Sequence, residues 1–270
     1  MTAIFRPVET RPARQWRRGV TGDTAIERPL ADEAPVGLLY DGRPHAVLMA
    51  TPADVEDLAV GFTLSERIAA FSDIEGVSVE TLDQGLQVDI RLTAEGRGSR
   101  ARARVRGMEG RSSCGLCGVE RLAQAVRPLS RLAGGAVFKR DAIETALDAL
   151  DAEQALGRLT RAMHAAAFAD ADGQLVLVRE DVGRHNALDK LIGGAVRTGL
   201  DPATGFVVIT SRCSYEMVDK AAVAGFPLMV AISAPTALAI RKAEECGMTL
   251  VALARADGCT VFTGDERIAP

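Results

Sequence analysis

Apolar and polar positions alternate along the first part of the chain, and later they give way to short unbroken apolar runs. The two patterns predict two kinds of architecture. Val36-Gly37-Leu38-Leu39-Tyr40 and His45-Ala46-Val47-Leu48-Met49 flank Asp41-Gly42, a hairpin signal. His45 falls in the second strand, where a structural role is expected. Thr51-Pro52 predicts a helix start, a capping residue followed by proline in the first turn. The apolar face of that helix is Val55, Leu58, Ala59, Phe62 and Leu64. Val77-Ser78-Val79-Glu80 and the run Leu86 to Leu92 alternate at period two around Asp83-Gln84-Gly85, a second hairpin. Residues 23–110 are expected to form a small α+β domain. Residues 1–22 carry Arg6, Arg11, Arg14, Arg17 and Arg18 among prolines, and a basic, poorly ordered tail or edge segment is expected there.

From residue 119 to 270 the pattern changes. Asp141 to Leu156 predicts an amphipathic helix, with Ile143, Leu147, Leu150 and Leu156 near 3.6 spacing. Strands are predicted at Leu175–Val178, Phe206–Ile209, Leu228–Ile232, Thr249–Leu253 and Thr260–Thr263. Helices are predicted from about His185, Ser214 and Pro235. Continuous apolar strands alternating with helices predict an α/β domain with a mostly parallel sheet covered on both faces.

Ligands of such sheets bind beyond the carboxyl ends of the strands. The first exit contains Asp181, Arg184, His185 and Asn186. The second contains Ser211, Arg212 and Ser214, the third Ser233 to Thr236, and the fourth Arg255-Ala256-Asp257-Gly258. Arginines beside helix N-termini make an anion site, so a nucleotide or phosphate ligand is expected. Ordinary capping by Ser and Asp is the alternative, though capping has no need of Arg184, His185 and Arg212. His164 heads an alanine-rich run that leads into the first of these strands, and both a core and a pocket role are open to it.

Composition narrows the function classes. Of 270 residues 47% are hydrophobic and only 4% aromatic, so the core must be aliphatic. A net charge of −4 argues against bulk nucleic-acid binding. No apolar run reaches membrane-spanning length and no signal-peptide core is seen, so a cytoplasmic place with reduced thiols is expected. Cys213, Cys246 and Cys259 lie in or beside apolar segments and are expected to fill the core. Arg100, Arg102, Arg104 and Arg106 recur at spacing two, one cationic row if the segment is extended. The run leads to Arg111 and a glycine-flanked loop, Ser113-Cys114-Gly115-Leu116-Cys117-Gly118, in residues 111–118. A thiol before a helix-like run favours thiolate, which serves as nucleophile or metal ligand. A sulfur-carrying pair, half a metal site and a plain turn all fit that spacing. Zinc is disfavoured because no second close ligand pair and no His-x-Glu element occurs. Thioredoxin-like chemistry is disfavoured because the pair does not follow the first strand of a βαβ unit.

Three stretches together resemble the FdhD family. They are Ser113 to Gly118, Glu180-Asp181-Val182-Gly183-Arg184-His185-Asn186-Ala187-Leu188-Asp189-Lys190, and Ser211-Arg212-Cys213-Ser214-Tyr215-Glu216. The resemblance covers about Ile26 to Phe262. It implies a sulfurtransferase accessory to formate dehydrogenase, with a cytidine deaminase-like C-terminal fold lacking the zinc ligands, and a homodimer. It implies that a cysteine desulfurase loads sulfane sulfur on Cys114 as a persulfide, assisted by Cys117. The acceptor it implies is the bis-molybdopterin guanine dinucleotide molybdenum cofactor, for which GDP is a mimic. The strand exits, with Leu253, Ala254, Arg255, Ala256, Asp257, Gly258 and His164, would hold the guanine dinucleotide. The family usually has Thr-Gly-Gly or Thr-Gly-Cys shortly before the histidine that matches His164; here Thr160-Arg161-Ala162-Met163 stands there. A cofactor-binding chaperone that never handles sulfur is the competing class, and it would tolerate loss of Cys114.

Overall fold

The computed structural model describes residues 5–102, 108–109, 126–133, 136–255 and 257–270. The chain opens on a long hairpin. Strand β1 (Val8–Trp16) pairs antiparallel with β2 (Asp23–Ala31) along its whole length, from Val8 opposite Ala31 to Trp16 opposite Asp23. Residues 8–16 are therefore a strand of a separate two-stranded sheet, the edge segment rather than the poorly ordered tail. They gave no periodic signal because neither face of this hairpin is buried, so nothing forces apolar residues into alternation.

Both predicted hairpins of the α+β unit are present, as β3 (Ala34–Tyr40) with β4 (Arg43–Ala50) and β5 (Ile74–Leu82) with β6 (Gly85–Leu92). With β7 (Met108–Glu109) they form a sheet of order β5-β6-β3-β4-β7. Helix α1 (Val55–Ser65) covers it, packing Leu58, Ala59 and Phe62 against Val36, Leu38 and Ile90. Its N-cap is Asp54, in the left-handed conformation, rather than Thr51. Thr51 is fully buried and has other work. Its N–H donates to Asp181 Oδ2 at 2.9 Å, and its hydroxyl oxygen accepts from the Val182 N–H at 3.1 Å. Helix α2 (Ala94–Arg102) takes Arg100 and Arg102 out of the extended arginine row, because residues two apart on a helix do not share a face. The Arg100 guanidinium instead lies 5.0 Å above the Tyr40 ring. Arg104, Arg106 and Arg111 lie outside the described residues.

A short parallel pair joins β8 (Phe138–Lys139) to the terminal β15 (Ile268–Ala269). The predicted helix from Asp141 is two helices, α3 (Arg140–Glu153) and α4 (Ala155–Thr160). The break has a partner: the Glu180 carboxylate accepts the N–H groups of Leu156 and Gly157, at 2.8 and 2.7 Å, in the first turn of α4. The main sheet then takes β9 (His164–Ala169), β10 (Leu175–Asp181), β11 (Phe206–Ile209), β12 (Leu228–Ala231), β13 (Thr249–Arg255) and β14 (Gly258–Thr263) in the order β10-β9-β11-β12-β13-β14. The α/β class is as expected, and four of the six strands run the same way. β9 and β14 run against their neighbours, and β9 was read only as an alanine-rich run. Helices α5 (Arg184–Arg197), α6 (Tyr215–Ala224) and α7 (Ala237–Cys246) pack on one face through Leu188, Met217 and Ala243. α3 covers the other face with Ile143, Ala146 and Leu150. Cys213 and Cys246 fill the core as expected, whereas Cys259 is exposed on the edge strand β14.

The two units are fused along α1 and α5. α1 presents Asp57, Gly61 and Ser65, and α5 presents Asp189, Gly193 and Arg197, each set at i, i+4, i+8. Asp57 pairs with Arg197 at one end, and Ser65 donates to Asp189 at 2.7 Å at the other. Between them the backbones touch: a methyl group on Gly61 would run into the Asp189 carbonyl, and one on Gly193 into the Asp57 carbonyl. Lys220 of α6 closes the seam, with Nζ 2.9 Å from both Asp189 carboxylate oxygens and 2.8 Å from Ser65 Oγ. Burial opposes its charge, but Asp189 and Glu66 hold the ammonium above its ordinary value.

Candidate functional site

One end of the main sheet gathers the polar strand exits. Register fixes this: His164 lies opposite Asp181, Ala166 opposite Ile209, Ile209 opposite Ala231, and Ala231 opposite Ala252. Because β9 is antiparallel, its first residue, His164, stands at the same edge as the last residues of β10, β11 and β12. The loops after β11 and β12 are zipped together. The Cys213 N–H donates to the Ala234 carbonyl at 3.3 Å, and the Thr236 N–H to the Cys213 carbonyl at 2.9 Å. Helices α5, α6 and α7 therefore all begin at this edge, with N-caps Gly183, Ser214 and Thr236. Thr236 caps α7 by accepting from the Ala239 N–H at 3.2 Å, but the Ser214 hydroxyl caps nothing and is buried without a hydrogen-bond partner among the described residues. Three helix starts facing one edge concentrate partial positive charge there.

The side chains divide into two groups. Asp181 and Asn186 are consumed by the structure. Asp181 is fully buried; its Oδ2 lies 2.7 Å from Lys190 Nζ, and its Oδ1 accepts from the Gly183 N–H at 2.8 Å and from Asn186 Nδ2 at 3.0 Å. Asn186 also donates to the Met49 carbonyl at 2.9 Å, so both residues bind the α+β unit to the sheet edge. The Ser211 hydroxyl is turned to the Arg212 carbonyl at 3.1 Å. The second group faces outward. Arg212, Leu253, Arg255, Asp257 and Gly258 are exposed, while Ala254 is buried. Leu253 has φ 53, an outlier for a bulky residue, at a point where the β13–β14 register shifts. Strain of this kind clusters at ligand sites. His185 Nε2 lies 3.0 Å from Glu216 Oε2 but off the line of a hydrogen bond, an electrostatic contact. Ala256, Cys114 and Cys117 lie outside the described residues.

Charge at the edge acts on His164. Burial, and then the Arg184 guanidinium, hold its imidazole below the ordinary value, with Asp181 opposing. Burial and Arg100 do the same to His45, packed edge-on against Tyr40. A depressed folded pKa means that the unfolded chain takes up protons first as pH falls. The stability contribution is therefore present above the unfolded value of about 6.5 and is lost as pH falls through the folded values. Urea titrations from about pH 7 to about pH 5 should show falling stability, and His164→Gln should flatten part of the slope. A wild-type profile flat across that window contradicts the assignment.

Two clefts are present among the described residues, one of them near His164. One of 390 Å³ is lined by Asp151, Gln154, Gly157, Arg158, Arg161 and Met163, the last adjoining His164. Arg161 there has φ 58, the left-handed conformation for which glycine is the unstrained choice. The other, of 640 Å³, sits at the far end of α5 and is lined by Asp57, Arg179 and Arg197, whose charges already satisfy one another. Sequence reasoning gave no role to Lys190 and Glu216, though both stand in the quoted motifs, and passed over Lys220. A Lys190 next to Asp189 within the apolar Leu188-Leu191-Ile192 stretch was the available signal; for Lys220 and Glu216 only the packed helices reveal a role.

The FdhD/NarQ family matches residues 31–269. A relative from Xanthomonas euvesicatoria pv. vesicatoria, called sulfur carrier protein FdhD, is 48% identical over 257 residues, which is 94% of this chain and 91% of that one. A protein of the same name from Cupriavidus necator is 45% identical over 255 residues, 94% of this chain and 88% of that one. The fold is similar to the crystal structure of a protein described as a formate dehydrogenase accessory protein from Desulfotalea psychrophila, with a TM-score of 0.76 and 23% identity, covering 97% of this chain and 100% of the other. Among the described residues no helix is long and apolar enough to cross a membrane.

Proposed function

The chain belongs to the FdhD/NarQ family, and from that premise we propose that it is a cytoplasmic sulfur carrier for a formate dehydrogenase, working as a homodimer. The Cys114 thiolate attacks the outer sulfur of a cysteine desulfurase persulfide. A new S–S bond forms on Cys114, the old one breaks, and the donor leaves as thiolate. The acceptor is the molybdenum of bis-molybdopterin guanine dinucleotide, bound as substrate. Cys117 then attacks the inner sulfur, leaving a Cys114–Cys117 disulfide and releasing the carried atom with its electron pair as sulfide. A cellular thiol reductant resets the pair.

The observation that carries this reading is the sheet edge, where three helix starts, Arg184, Arg212, a strained Leu253 and an unpartnered Ser214 hydroxyl meet. Such an edge suits the diphosphate of a guanine dinucleotide. The described cysteines support it from the other side. Burial pushes the Cys213 thiol up to about 12 and raises that of Cys246, and partial desolvation with the Glu144 carboxylate nearby raises that of the exposed Cys259, so none of them is poised as thiolate at neutral pH.

Intact-mass measurement after incubation with a desulfurase and cysteine tests the chemistry. Wild type should gain one sulfur atom, Cys114→Ala none, and Cys117→Ala should load but fail to release sulfide. Normal loading of Cys114→Ala sinks the assignment and favours the chaperone class. Calorimetry with GDP tests the edge. A charge-assisted phosphate contact is worth about 1.5–3 kcal/mol, so Arg212→Ala should weaken binding by roughly ten- to a hundredfold. Equal affinities remove Arg212 from the site.

A further inference from the structure

The β1–β2 hairpin has little of its own to bury: beyond Val8 its first strand is bare, and on its second only Ile26, Pro29 and Ala31 are half-buried. Every residue from Glu9 to Trp16 is exposed, Trp16 to 75%, and Val20 at the turn is exposed to 63%. A two-stranded hairpin with so little covered is at best marginal in water. Its charges add to the cost: Arg11 stands directly across from Arg28, a like-charge pair that destabilises the ladder. Arg11 and Arg14 have acidic neighbours on the hairpin, Glu9 and Asp23, but among the described residues Arg17, Arg18 and Arg28 enter no ion pair. Within its own chain β2 rests on α4, which leaves the turn end bare.

The complementary surface is on the same chain. Helix α3 exposes Asp141, Glu144, Asp148 and Asp151, spaced three, four and three residues apart and thus on one face. Among the described residues none of the four is in an ion pair, and like charges at this spacing weaken a helix. The stripe spans about 15 Å, and a nine-residue strand reaches about 30 Å. We propose that the hairpin is an arm that docks on the α3 stripe of a second copy, reciprocally, so that each protomer gives one arm and receives one. A two-fold dimer closes in this way and leaves no stripe empty. This rests on the homodimeric reading above and gives it a surface.

Charge reversal in full-length protein tests it by sedimentation velocity. Arg17→Glu/Arg18→Glu/Arg28→Glu should raise the dimer Kd by about a hundredfold or more, as like charges then face each other. Asp141→Lys/Glu144→Lys/Asp148→Lys should do the same. Mixed, the two variants should form a heterodimer of near wild-type affinity, because each arm then meets a stripe of opposite sign. Melting temperatures should barely move, since exposed charges contribute little to the fold. A wild type that stays monomeric, an arm variant that dimerises normally, or a mixture that fails to recover overturns the proposal. Persulfide loading is read separately by mass, so a monomer that still loads Cys114 overturns the arm and leaves the sulfur-carrier reading standing.

Discussion

Lys190→Ala should cost about 3–5 kcal/mol of folding stability, the range for removing one partner of a buried ion pair. Lys190 is fully buried, with Nζ 2.7 Å from Asp181 Oδ2, 2.9 Å from the Thr51 carbonyl and 3.3 Å from the Glu180 carbonyl. Without it the buried Asp181 carboxylate is left with no cation, though the N–H groups of Thr51 and Gly183 and the Asn186 amide still point at it. The damage falls on the junction, since Thr51 belongs to the α+β unit and Asp181 to the main sheet. Lys190→Met with Asp181→Asn removes both charges and should recover a large part of the loss. Urea denaturation of the three proteins measures this. A loss below about 1 kcal/mol in Lys190→Ala would show that water reaches Asp181 and that the pair does not hold the two units together.

Gly61→Ala should be comparably damaging, by about 3 kcal/mol or more, for a steric reason. The added methyl would overlap the Asp189 carbonyl and press on the Gly193 backbone. Backbone atoms cannot rotate away as a side-chain end can, so α1 and α5 must separate. Separation lengthens the Ser65–Asp189 and Asp57–Arg197 contacts at either end of the seam. Gly193→Ala meets the Asp57 carbonyl and should behave alike. The two changes together should cost less than their sum, because once the helices part the second methyl finds room. Chemical denaturation with a double-mutant cycle reads both numbers. An additive pair, or a near-neutral Gly61→Ala, would mean that the helices do not cross in contact.

The sequence by itself determined the elements whose burial is one-sided or complete. The hairpins around Asp41-Gly42 and Asp83-Gln84-Gly85, the apolar strands of the main sheet and helices α5 to α7 were all legible, because hydrophobic periodicity records which side of an element meets the core. The polar strand exits were legible for the same reason: where apolar runs stop, the sheet edge begins. Tertiary structure alone decided the rest. β9 reads as a plain alanine run until its antiparallel register puts His164 at the edge shared by β10 and β11. The α3–α4 break depends on Glu180, which is 24 residues from Leu156 in sequence. Thr51 looked like a cap because its local pattern was right, yet Asp181, 130 residues away, took its N–H instead. β1 was invisible because a hairpin with no buried face leaves no periodicity to read. Local rules describe interactions a few residues apart, while a hydrogen bond or a glycine contact between distant segments is specified by the packing of whole elements and has no trace in either segment alone.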